Sequence, residues 1–100
     1  MFGLFKNRRR RRFRAGPFPD TWARILEKNV PYYRHLPEED QHELRQHVKV
    51  FLGEKHFEGC RGVHITDEIR VTVAGQACVL LLHRETDYFP SLVTILVYPS

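Results

Sequence analysis

One hundred residues allow one domain at most, and 42% hydrophobic and 12% aromatic side chains are enough for most of it to fold. The net charge of +4 is segregated. Residues 1–14 carry seven of the sixteen basic side chains and no acid, whereas the remainder carries nine basic against twelve acidic, a net of −3. Two cysteines with no Cys-x-x-Cys pair exclude a disulfide framework, and no apolar run reaches the roughly 18 residues of a membrane span. The N-terminus places Phe2, Leu4 and Phe5 ahead of its arginines, the reverse of a secretory signal, so reduced thiols and a cytoplasmic location are expected.

Residues 1–18 read as a basic, disordered leader, because Arg8 to Arg12 repel one another and Gly16-Pro17-Phe18-Pro19 interrupts any helix. Arg8, Arg9, Arg10, Arg11, Arg12 and Arg14 form the candidate anion-binding set, suited to nucleic acid or another anionic surface. The apolar cluster ahead of them suits at most a shallow dip into a membrane interface. The plain alternative is a solvated tail with no partner.

From Pro19 and Asp20 a short helix to Asn29 follows, with Trp22, Ile25 and Leu26 on one stripe and Trp22 as a core anchor. After a connector through Leu36, Pro37 and three acids begin a second helix running to about His56. Leu44, Val48, Phe51 and Leu52 are its inner face. Phe57 to Ile65 is a loop or short strand broken by Gly59 and Gly62.

Thr66 to Leu82 is the central core segment. Thr66 is a suitable N-cap, Asp67 and Glu68 oppose the helix dipole, and Ile69, Val73, Ala77, Leu80 and Leu81 share one face. A hairpin turning at Ala74-Gly75-Gln76 competes through the β-branched run Val71 to Val73. The cap signature favours the helix. His83 to Pro90 is a polar connection, and Ser91 to Tyr98 is a strand apolar enough to be buried on both faces. Such a strand needs more neighbours than these residues offer, so the chain reads as cut within a domain.

No complete active site is visible. His42 and His47 lie i, i+5 apart, one residue too long for the His-Glu-x-x-His zinc motif, and both are expected on an outer helix face. His35, His56, His64 and His83 show no ligand spacing. Cys60 lies near His56 and His64 in sequence as a weak nucleophile candidate, while Cys78 is expected to be a small core hydrophobe. No catalytic or metal residue is therefore assigned.

Leu36-Pro37-Glu38-Glu39, Phe51-Leu52-Gly53-Glu54-Lys55, Phe57-Glu58-Gly59-Cys60, Gln76-Ala77-Cys78 and Val97-Tyr98-Pro99-Ser100 together resemble the N-terminal part of the zinc-dependent peptidases related to Mlc titration factor A. The resemblance covers residues 18–100 and leaves the arginine-rich leader outside. It implies an α+β, partial zincin-like domain over residues 19–100, with about three helices, one or two strands and an incomplete sheet. It also implies a cytoplasmic metallopeptidase that cleaves short peptides and, in the full-length family, binds a glucose repressor. The zinc ligands of that family lie beyond the matched region, so this chain is expected to hold no cofactor and to be inactive alone. The alternative reading is a small binding module that uses its arginines.

Overall fold

The computed structural model describes residues 2–84, 88–90 and 92–99, with side chains from residue 7 onward. Four α-helices precede and surround a two-stranded parallel sheet among them, an α+β arrangement. They are α1 (Phe2–Ala15), α2 (Asp20–Asn29), α3 (Glu38–Glu54), β1 (His56–Gly59), α4 (Asp67–Cys78) and β2 (Thr94–Val97). No helix is long and apolar enough to cross a membrane among the described residues.

The helix reading of the central segment holds. Thr66 Oγ1 accepts from the Ile69 amide at 3.2 Å, so the cap that the sequence advertises is made. The buried stripe is not the expected one. Val71, Ala74, Gly75 and Cys78 face the interior, while Ile69, Val73 and Ala77 are half-buried. Beyond Cys78 the chain tightens into a 3-10 turn over Val79–Leu81. That turn advances about 120° per residue, which breaks the 100° phase and leaves Leu80 64% exposed with Leu81 buried.

α2 has the expected bounds and crosses α4 at Gly75. A Cβ there would lie 2.6 Å from Leu26 Cδ2 and 2.9 Å from Val30 Cγ2, both fully buried side chains. Glycine costs the helix up to about 1 kcal/mol in propensity and in exchange lets the two backbones approach. Trp22 is half-buried, edge-on to Phe18 at 5.6 Å, and donates its indole N–H to Asp67 at 3.3 Å. Asn29 bridges to Glu68 and Thr72, so the whole length of α2 is fastened to α4.

α3 is the central helix of the core. Its Leu44, Val48, Val50, Phe51 and Leu52 are buried, and Glu38, Glu39 and Asp40 lie at its positive end as expected. β1 and β2 pair in the register His56↔Thr94 to Gly59↔Val97, with α4 as the crossover that a parallel pair requires. Phe57 and Ile95 stand opposite each other on the core face.

The second strand departs from the expectation of burial on both faces. Val93, Leu96 and Tyr98 are more than half exposed, because among the described residues β1 is its one sheet neighbour and the helices cover one face. Val93 and Val97 carbonyls accept from His56 and Cys60, so the backbone groups of Thr94 and Leu96 point to an open edge. Ser91, the expected start of the strand, lies outside the described residues.

The largest correction concerns the leader. Residues 2–15 form α1, docked along α3, in place of a disordered tail. Phe13 lies flat over Gly53, where a Cβ would come 2.7 Å from its ring. Lys49 Nζ donates to the carbonyls of Arg14 (2.6 Å) and Gly16 (2.7 Å), closing the negative end of α1 with a cation. Charge repulsion along the arginine run is overcome by these contacts and by the Arg10 pairing described next. The side chains of Phe2, Leu4 and Phe5, on which the membrane-dip reading rests, lie outside the described ones.

Candidate functional site

Asp40, Glu43, His47 and Glu54 recur at i, i+3, i+7 and i+14, one polar face of α3 beside its apolar stripe. Against this face α1 and the segment after the 3-10 turn bring Arg10, Arg14, His83 and Tyr88. The result is a polar seam. Glu54 takes a two-pronged pair from Arg10, Nε to Oε2 at 2.6 Å and Nη2 to Oε1 at 3.1 Å. The Arg10 guanidinium also lies 4.7 Å from the Tyr88 ring centre.

The buried Tyr88 hydroxyl accepts from Arg14 Nη2 at 2.9 Å and lies 2.6 Å from His47 Nδ1. His47 Nε2 is 3.1 Å from Glu43 Oε2. Because an ionised carboxylate only accepts, His47 Nε2 donates to Glu43. Glu43 Oε2 also accepts from the His83 amide at 2.9 Å, and His83 Nε2 lies 3.2 Å from Asp40 Oδ2. His83 itself sits at φ 63°, a left-handed backbone that turns its amide onto Glu43.

This Glu–His–Tyr chain ends on a buried tyrosine hydroxyl that Arg14 caps. The adjoining cleft of about 290 Å³, floored by Arg10, Glu54 and Tyr88, is next to Lys55, whose Nζ donates to the Phe89 carbonyl. The seam fastens α1, His83 and Tyr88 to α3.

Burial alone works to raise the Glu43 carboxyl, but the His83 amide, the His47 hydrogen bond and the charges of both imidazoles outweigh it and hold the group below its ordinary 4.5. A depressed carboxyl stabilises the fold above its unfolded value and loses that contribution as pH falls through the folded one. Unfolding titrations below about pH 4.5 are therefore expected to fall less steeply in Glu43→Gln than in the parent chain. Equal slopes would remove Glu43 from the acid transition.

The residues singled out from sequence fare differently. Arg8, Arg11 and Arg12 are exposed, Arg9 is 59% exposed with Glu54 at 3.9 Å, Arg14 serves Tyr88, and Arg10 is buried in the seam. Arg10 therefore leaves the anion-binding set. His42 is exposed beside Gln46, as expected, but His47 turns inward to Tyr88. Cys60 Sγ makes no hydrogen bond to His56 or His64. Cys78 is fully buried, and burial, opposed by the charge of Lys55, pushes its thiol up to about 12, which leaves it unreactive.

His83 is the residue that spacing could not place. With Asp40 and Glu43 it brings three potential ligand atoms within 4.8 Å of one another. These do not fit a catalytic zinc of the His-Glu-x-x-His type: one imidazole and two carboxylates replace two imidazoles on one helix face, and His83 Nε2 already bonds Asp40 Oδ2.

The seam joins α1 to the rest, so the chain is one unit almost from its first residue. The model of the glucose-regulated metallo-peptidase M90 family matches residues 4–100 in the same way, α1 included. This chain belongs to that family. The uncharacterized protein slr2042 of Synechocystis sp. is 39% identical over 84 residues, covering 84% of this chain and 30% of that protein. This M90 chain thus spans about 30% of the length of the curated relative it matches. No solved structure matches it. The M90 match takes in the arginine-rich helix, which the sequence reading set aside.

Proposed function

We propose that these residues are the non-catalytic front of a zinc-dependent M90 metallopeptidase, with residues 19–100 opening a zincin-like domain in the cytoplasm. The family match over residues 4–100 carries this reading. In it the zinc-binding His-Glu-x-x-His helix and the peptide-cleaving chemistry belong to sequence that longer members carry downstream, as does any contact with a repressor. The role of this part is to supply the α3–α4 core and the first two strands. The open edge and bare face of β2 support it, since further strands can add there without disturbing the core.

Two measurements test it. The native gene product from its source cells is expected to weigh well above 11.9 kDa and to carry the zinc helix downstream of Ser100. The isolated 1–100 chain, dialysed against zinc and offered a chromogenic short peptide, is expected to retain no stoichiometric metal and to release no product. One tight zinc with hydrolysis by that chain would overturn the proposal.

A further inference from the structure

α1 is built with two unlike sides. Its inward side, Arg10, Phe13 and Arg14, is spent on Glu54, Gly53 and Tyr88. Arg8, Arg11 and Arg12 fall at i, i+3 and i+4 on the other side, exposed, with no ion pair or hydrogen bond among the described residues. α1 holds no acid to neutralise them, and Glu54, a carboxylate that reaches α1, is committed to Arg10 and Arg9. Like charges at these spacings destabilise a helix by a few tenths of a kcal/mol per pair. Docking the opposite side holds the array in place despite that cost.

We propose that this face binds the phosphodiester backbone of duplex nucleic acid without reading its sequence. The charge densities match. Arg8 to Arg12 rises about 6 Å along the helix axis, a length over which a duplex carries about three to four negative charges. The residues are arginines, whose planar fork meets two phosphate oxygens at once. The exposed described side chains of α1 are Asn7, Arg8, Arg9, Arg11, Arg12, Arg14 and Ala15, a face of cations and small groups that suits a phosphate backbone. The rest of the chain carries net negative charge, which confines the contact to this face and keeps it weak.

Fluorescence anisotropy with a labelled 20-base-pair duplex tests the idea on the intact 1–100 chain. Three neutralised phosphates predict a slope of log K against log salt of about −2.7, or about a 40-fold loss between 50 and 200 mM. Scrambling the duplex sequence is expected to change nothing. The variant R8Q/R11Q/R12Q keeps helix propensity and touches no buried contact, so its circular dichroism should match the parent while binding falls at least tenfold and the slope goes to near zero. R8K/R11K/R12K should keep the slope. Undiminished binding by the glutamine variant would overturn the proposal, as would loss of the slope in the lysine variant. Binding to phosphatidylserine vesicles without binding to the duplex would overturn it in favour of a lipid surface.

Discussion

Phe51→Ala is expected to cost about 3–5 kcal/mol, the range for emptying a buried phenylalanine site. Phe51 is fully buried on α3 and is the side chain on which three separate parts of the fold converge. Its ring meets Phe57 of β1 at 6.3 to 6.4 Å between centroids, as it does Phe89 on the segment leading to β2, and Lys55 Nζ lies 6.0 Å from its centre. Removing it takes away apolar burial and two aromatic contacts worth about 0.5–1.5 kcal/mol each beyond their area. The neighbours cannot close the gap, because β1 is held to β2 by its ladder and α3 is pinned by the seam. Domains of this size have about 5–15 kcal/mol in total, so the variant should be mostly folded at best and unfold at much lower urea. Urea titration followed by Trp22 fluorescence and far-ultraviolet circular dichroism would show a lower midpoint with an unchanged slope. Leu96→Ala, on the exposed face of β2, is the comparison and should stay within about 0.5 kcal/mol of the parent. Equal midpoints for the two variants would mean the core is not centred where the structure places it.

α2 is legible in the sequence because its signals are local: Pro19 and Asp20 open it, and Trp22, Ile25 and Leu26 repeat at the helical period. α3 is legible for the same reason, and the Thr66 cap decides between helix and hairpin for α4. What pattern cannot give is the partner of each face. An apolar helix such as α4 presents several plausible stripes, and the crossing with α2 at Gly75 selects the one that is buried. The seam is less legible still. His83 reaches Asp40 and Glu43 across 40 or more residues, and spacing rules see only groups on one element. One usable signal was present: Glu54 ends α3, where the helix dipole disfavours a carboxylate, and no basic residue stands in that last turn. An acid in that position needs a cation from elsewhere, and the arginine run was the surplus available. Counting charges along the leader hid this, because repulsion between neighbouring arginines and attraction to a distant carboxylate look alike in composition.

That pairing makes the second strong prediction. Glu54→Ala takes from the Arg10 guanidinium, with 11% of its side chain exposed, the carboxylate that grips it through two hydrogen bonds, and removing one member of a buried pair costs up to about 3–5 kcal/mol. Arg10 has an escape that a core residue lacks, since α1 can lift from α3 and return the charge to water. The loss is then capped at the free energy of docking α1, which includes the Phe13 contact with Gly53 and the Lys49 cap. The expected signature is therefore local. Amide exchange across α1 should accelerate by two orders of magnitude or more, about 3 kcal/mol of opening free energy, while the amides of α3 and α4 change far less. Replacing both partners with apolar residues of similar volume, Arg10→Met with Glu54→Leu, should restore much of the protection, because the desolvation cost disappears along with the attraction. Salt separates this pair from the outward arginines of the same helix: 0.5 M sodium chloride should leave α1 protection nearly unchanged, while any binding by Arg8, Arg11 and Arg12 collapses. Unchanged exchange in Glu54→Ala would mean that the Glu54 pair contributes little to holding α1 against α3.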